Sequence, residues 1–150
     1  MAYDTTGGLT LDMATEVLAA QPFSSLLGAQ LTTFGRGEAT LELDVRDDLL
    51  QQNGYLHGGV LAYAADNSIT FAGGSSLGPS VLTSGLTISY LRPAQGNRLR
   101  ARAQVIHASR RQATCRCDLQ ILDDDGVPTL CAAAQGTIIA SGNSGHSAAH

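Results

Sequence analysis

Alternation of apolar and polar positions dominates the second half of the chain. Ala113, Cys115, Cys117, Leu119 and Ile121 alternate with Thr114, Arg116, Asp118 and Gln120, the period-two pattern of a strand with one face buried. Leu99, Ala101, Ala103 and Val105 alternate in the run before it, and Thr129 to Ile139 forms a further strand after the turn Asp123-Asp124-Asp125-Gly126. An earlier run places Leu82, Leu86, Ile88 and Tyr90 on one face and ends at Arg92-Pro93. Nearer the start, Ala39, Leu41, Leu43 and Val45 alternate with Glu38, Thr40, Glu42 and Asp44. A strand over about Leu27 to Thr33, joined to it through Phe34-Gly35-Arg36-Gly37, makes a hairpin.

Two segments carry helical patterns instead. LTLDMATEVLAA, residues 9–20, reads as a short amphipathic helix with Leu11, Met13, Val17 and Leu18 toward the core. HGGVLAYAADNSITFAG, from His57 to about Gly73, is small and apolar on every side, the mark of an enclosed helix. Gly73-Gly74 and Ser75-Ser76 are expected to stop it. Successive strands on short turns should pair antiparallel. The order is helix, two strands, long helix, four strands, which predicts an α+β fold: one antiparallel sheet wrapped around one central helix. Residues 1–140 form one domain on this reading, and SGNSGHSAAH (141–150) is a flexible tail.

Composition narrows the function. The chain has 150 residues, of which 43% are hydrophobic and only 15% charged, against roughly 25% charged in an ordinary domain. Much surface should therefore be covered, either in the core or by further copies of the chain. No apolar run approaches the ~18 residues of a membrane span, and no basic-then-apolar leader opens the sequence, so a cytoplasmic location is expected. All nine basic residues are Arg, which excludes Schiff-base or P-loop chemistry through Lys. Residues 1–75 hold nine acids and two Arg, whereas 76–150 hold four acids and seven Arg. With a net charge of −4 the chain is no nucleic-acid binder, but its second half suits a small polyanion. Three Cys and four His show no disulfide framework and no metal-ligand spacing.

Asp66 is the odd residue of the central helix. Its neighbours three and four positions away are Ala62, Tyr63, Ile69 and Thr70, so no Arg pairs with it along the helix. A carboxylate in such a setting is costly and is suited to general acid–base work. Leu56-His57-Gly58-Gly59 opens the same helix. Glycine there lets a substrate oxygen approach the free N–H groups at the positive end of the helix dipole. Gln51 in the preceding loop adds a candidate donor, and His57 read alone is a hydrogen-bonding residue of that loop.

NGYLHGGVLAYAADNSITFA, followed by TSGLTISYLRPA, resembles the hotdog-fold acyl-CoA thioesterases of the PaaI-type branch, over roughly residues 25–140. The resemblance implies hydrolysis of coenzyme A thioesters. It places Asp66 on the catalytic carboxylate, Gly58 on the residue whose N–H polarises the carbonyl, and His57 on the motif histidine. Gln51 falls near the thioester, and Thr83, Ser84 or Thr70 on the hydroxyl that orients water. Asn53, Gly59, Arg92, Arg110 and Arg111 complete the substrate-binding candidates, with Arg98, Arg100, Arg102 and Arg116 as further phosphate partners. No cofactor is implied, coenzyme A being part of the substrate. The competing readings are a hydratase or dehydratase, or a non-catalytic acyl-CoA binding module on the same fold.

Gly58 and Asp66 stand eight residues apart, about 12 Å along one helix at 1.5 Å per residue. A thioester carbon needs its nucleophile and its oxyanion donor each about 3 Å away. One helix cannot supply both, so the acid should come from a second copy in a two-fold dimer, with dimers pairing further into a tetramer.

Overall fold

The computed structural model describes residues 8–141. All but the first residue of the expected 141–150 tail lie outside the described residues. Helix α1 (Leu11–Ala19) begins where the Thr10 hydroxyl accepts the Met13 N–H at 3.2 Å, an N-cap that satisfies one orphan donor. It buries Ala14 and Leu18; Leu11, Met13 and Val17, expected in the core, stand exposed. A second helix follows, α2 (Pro22–Leu27), in a stretch to which the sequence pattern assigned no element, and its last residue is the expected first residue of the strand. Pro22 sits at its first position, where a missing N–H costs nothing, and Gly28 ends it at φ 75°. Strand β1 (Gln30–Gly35) thus begins three residues late and turns through Arg36 and Gly37, both at positive φ, into β2 (Glu38–Asp44).

Helix α3 (Gly58–Leu77) runs one turn beyond the expected stop. Gly73 and Gly74 lie inside it, and it ends at Gly78, with φ 111°. The reason for Gly73 is proximity: a Cβ there would come within 2.8 Å of the Ile138 side chain. Four long strands follow, β3 (Val81–Tyr90), β4 (Arg98–Ala108), β5 (Gln112–Leu122) and β6 (Pro128–Ala140). All pairs are antiparallel, in the order β1-β2-β4-β5-β6-β3. The α+β fold expected from the pattern is present, and α3 packs against every strand.

One pairing differs from expectation. β3 pairs with β6 rather than with its successor β4, which lies beside β2. The segment between β3 and β4 is no tight turn. Ala94 accepts the Leu56 N–H, Asn97 accepts that of Val45, and Asn97 donates to Leu122, so the segment closes one end of the sheet. β3 is consequently an edge strand.

The buried face of the sheet is apolar and small. Leu41, Leu43, Leu99, Ala101, Leu119 and Ile138 are fully enclosed against α3. Cys115, Cys117 and Cys131 are free and buried among them; burial pushes the Cys115 thiol up to about 11 and Cys117 to about 12. They stay protonated and pack as small apolar groups. No helix among the described residues is long and apolar enough to cross a membrane.

Candidate active site

Most of α3 is enclosed, but Ala62, Tyr63, Asp66, Asn67 and Thr70 form a half-buried stripe at three- and four-residue spacing. Asp66 is therefore not sealed in an apolar interior, as its neighbours in the sequence implied. Nor is it without partners. The Thr83 hydroxyl donates to Asp66 Oδ1 at 2.7 Å, and Thr70 Oγ1 lies 2.8 Å from Thr83 Oγ1. Each hydroxyl has one proton. With Thr83 donating to the carboxylate, Thr70 donates either to Thr83 or to the Asp66 carbonyl, 2.8 Å away. Asp66 Oδ2 makes no hydrogen bond among the described residues. The carboxylate lines a cavity of about 310 Å³ with Tyr63, Asn67, Thr70 and Thr83.

A β-bulge between Thr83 and Gly85 sets this arrangement. It shifts the side-chain phase by one residue, so Thr83, Leu86 and Ile88 are half-buried while Leu82 is turned out to solvent. Leu82 does not share the face of Leu86 as the alternation implied. Of the hydroxyls left open by the sequence, Thr83 and Thr70 lie beside Asp66. Ser84 is exposed on the bulge and donates to the Thr137 carbonyl at 3.3 Å.

At the start of α3, His57 is the N-cap: its Nδ1 accepts the Gly59 N–H at 2.8 Å. Gly59 is needed for that cap, since a Cβ would lie 3.0 Å from the same nitrogen. The His57 carbonyl takes the N–H groups of Val60 and Leu61. The Gly58 N–H makes no hydrogen bond among the described residues and sits at the positive end of a 20-residue helix. Tyr90, at the far end of β3, donates its hydroxyl to the Gly58 carbonyl at 3.1 Å. β3 thus runs along α3 and touches both ends of the stretch between Gly58 and Asp66.

The loop before α3 is a closed turn. The Gln51 N–H donates to the Tyr55 carbonyl and the Gly54 N–H to the Gln51 carbonyl, while Gln51 Oε1 accepts the Asn53 N–H. That leaves the side-chain nitrogen of Gln51 as its donor. Asn53 is exposed. The Arg cluster of the sequence is divided by the fold. Arg98 and Arg100 are both engaged by Glu42, at 2.7 Å each, on the sheet face away from α3; all three nitrogens of Arg98 are taken, by Glu42, Asp44 and Gln30, whereas Arg100 is held through Nε. Arg102 and Arg116 are exposed on that same face, and Arg92 is exposed after β3. Arg110 and Arg111 line a groove of about 340 Å³ beside Leu77–Ser80, past the C-terminal end of α3. Among the described residues no group of three or more His, Cys, Asp or Glu is placed to hold a metal ion.

Two features escaped the sequence reading. Tyr90 was visible only as one member of a strand face. A polar cluster next to Asp66 was not singled out at all: the Tyr63 hydroxyl donates to Ser24 Oγ at 2.6 Å, and Asn67 Nδ2 donates to Gln21 Oε1 at 3.0 Å. The signal was present, since Tyr63 and Asn67 are polar residues flanking the acid in a helix of Ala, Val, Leu and Ile.

Comparison with known proteins bears on this geometry. Residues 53–127, which contain Gly58, Asp66 and Thr83, match the thioesterase superfamily. The chain is 28% identical over 100 residues to 1,4-dihydroxy-2-naphthoyl-CoA hydrolase of Listeria monocytogenes, covering 65% of this chain and 80% of that protein. Among solved structures, a thioesterase family protein from Silicibacter pomeroyi superposes with a TM-score of 0.77 at 28% identity, over 83% of this chain and 92% of that one. The phenylacetic acid degradation protein PaaI of Thermus thermophilus superposes with a TM-score of 0.69 at 32% identity, over 79% and 98%. The family match runs from the loop before α3 to the turn after β5, the sheet wrapped on one helix superposes on these solved structures, and the chain belongs to the thioesterase superfamily as a PaaI-like protein with the hotdog fold.

Proposed function

We propose that the protein hydrolyses an acyl-CoA thioester, with an aryl or medium-chain acyl group, to the free acid and coenzyme A. The observation that carries this reading is the half-buried Asp66 carboxylate, held by one hydroxyl on Oδ1 and open on Oδ2, in an open cleft of about 310 Å³. Asp66 acts as general base on a water or as the nucleophile itself. In the first case the water oxygen bonds to the thioester carbon, its proton passes to Asp66, and the coenzyme A thiolate leaves and takes up a proton. Thr83 and Thr70 fix the carboxylate's rotamer. The Gly58 N–H takes the carbonyl oxygen as negative charge develops on it, and Gln51 adds a side-chain donor nearby. No cofactor enters the reaction.

The same helix carries Gly58 and Asp66 about 12 Å apart, so one thioester carbon cannot meet both from one chain. The site is therefore shared between two copies. The edge strand β3, with Leu82 turned outward, supplies a surface for pairing, since a ten-residue edge left uncovered by the other described residues is otherwise a liability.

Release of free thiol from a panel of aryl- and alkyl-CoA esters tests the chemistry. Turnover of at least one is expected, and inertness toward all overturns the reading. Subunit mixing tests the sharing. Asp66→Ala lacks the acid, and Gly58→Pro lacks the donor N–H. Proline fits there because Gly58 is the first helical residue and His57 before it is extended, at φ −61°, ψ 136°. Equal amounts reassorting at random give half heterodimers, each with one intact site, so about a quarter of wild-type activity should return. An inactive mixture of folded, exchanging subunits places the whole site in one chain.

A further inference from the structure

We infer that the acyl group lies in an apolar chamber beneath α1, and that Met13 and Val17 set the size and polarity it admits. This rests on Asp66 as the reacting centre. A cavity of about 270 Å³ is walled by Met13 and Val17 of α1, Phe34 of β1, Phe71 and Gly74 of α3, and Val81 of β3. Asn67, Thr70 and Val81 border both this chamber and the cavity that holds Asp66. The two spaces adjoin, so a thioester carbon placed at the carboxylate has its acyl chain directed under α1.

Three observations define the occupant. First, Met13 and Val17 are 46% and 55% exposed although they lie on an amphipathic helix, so α1 carries apolar surface that the other described residues do not cover. Secondly, no charged side chain among the described residues lines the chamber. Asn67 Nδ2 is already engaged with Gln21 Oε1 at 3.0 Å, and Thr10 is spent on the α1 cap. A carboxylate or ammonium on the acyl group would meet no opposite charge there, at a cost an apolar group avoids. Thirdly, the volume fits. An apolar cavity of roughly 150 Å³ holds one benzene ring. A chamber of about 270 Å³ therefore has room for a two-ring aryl or a medium alkyl group.

The wall is also fixed in place. The hydrogen bonds from Tyr63 to Ser24 and from Asn67 to Gln21 tie the α1–α2 segment to α3 on either side of Asp66. Size selection by Met13 and Val17 requires such an anchor, since a loose helix would yield to a larger acyl group.

The test compares kcat/KM for butanoyl-, octanoyl-, 2-naphthoyl- and succinyl-CoA in the wild type, Val17→Trp and Gly74→Ala. Val17 is exposed on its helix, so the larger ring fills the chamber mouth without entering the core. Gly74→Ala narrows the chamber from the other side, and its Cβ would meet Val81 at an ordinary 3.5 Å. The wild type should prefer octanoyl and naphthoyl to succinyl by at least tenfold. Val17→Trp should lose at least tenfold on those two esters and less than about twofold on butanoyl, with a shift of the same sign and about threefold size in Gly74→Ala. Equal losses on all esters, or no change of preference in either variant, overturn the chamber while leaving the hydrolytic reading intact. Calorimetric binding of octanoate gives the converse. If no ester turns over but octanoate binds the wild type and not Val17→Trp, the chamber stands and hydrolysis falls. Octanoate bound equally by both overturns the chamber.

Discussion

Two carboxylates are drawn partly out of water in this molecule, and the fold holds them in opposite ways. Glu42 lies on the outer face of the sheet, only 8% exposed, with one oxygen on the Arg98 guanidinium and the other on that of Arg100. Burial alone would push its carboxyl up, but the two hydrogen bonds and two positive charges outweigh this and hold it below the usual range. Asp66 faces the helix side of the sheet and, among the described residues, its carboxylate has one hydroxyl partner, Thr83, on one oxygen. Neutral donors orient a carboxylate without cancelling its charge. Glu42 is therefore bound to its partners through both oxygens, whereas Asp66 is aligned through one oxygen and leaves the other open. The number of guanidiniums, more than the degree of burial, separates the acid that staples strands from the one proposed to do chemistry.

The contrast breaks first at Asp66. Asp66→Asn keeps both the size and a hydrogen-bond acceptor for Thr83, and should fold while losing at least about a hundredfold in thioester hydrolysis, the scale of general acid–base catalysis. Near-wild-type turnover in a folded variant removes Asp66 from the mechanism. Glu42→Gln should hydrolyse the same ester within about twofold of wild type.

A smaller effect separates neighbouring hydroxyls. Thr83→Val removes the bond to Asp66 Oδ1 at constant shape and should cost about tenfold in kcat, or ~1.4 kcal/mol, in line with one hydrogen bond to a charged group. Ser84→Ala, one residue along the bulge, should change kcat by less than twofold, because among the described residues its hydroxyl serves the Thr137 carbonyl and not Asp66. Equal effects at the two positions would mean that the bulge does not aim Thr83 as described.

Much of this was readable from the residues. The alternation in β2, β4 and β5 persists over seven residues or more, and a two-residue period has no competing interpretation at that length. Asp66 stood out because α3 otherwise carries no charge. What could not be read depends on contacts distant in sequence. α2 is six residues long, too short for a helical period, and only Pro22 and Gly28 mark it. The bulge at Ser84 is a one-residue slip within a good strand pattern, and it moves Leu82 and Thr83 to opposite faces from those expected. Gly73 reads as a helix stop until Ile138 is seen beside it. Arg98 and Arg100 look free until the β2–β4 register brings Glu42 opposite Arg100.

That register gives the least visible prediction, which concerns stability alone. Glu42→Gln leaves two guanidiniums with a neutral partner, although Arg98 keeps its ion pair with Asp44. The two Arg side chains are 28% and 32% exposed, so solvent recovers part of the loss. The cost at pH 7 should be about 1–2 kcal/mol, below that of a sealed ion pair. Its pH dependence identifies the cause. A carboxyl held below its ordinary value of 4.5 contributes fully above that value and loses its contribution as pH falls through the lowered one. The amide of the variant cannot titrate, so the urea midpoints of wild type and Glu42→Gln should differ at pH 7 and converge as the pH falls below 4.5 and through the lowered value. A gap that stays constant on acidification would assign the cost to packing. Glu42 would then be an acid filling space, and its contrast with Asp66 would lie in burial after all.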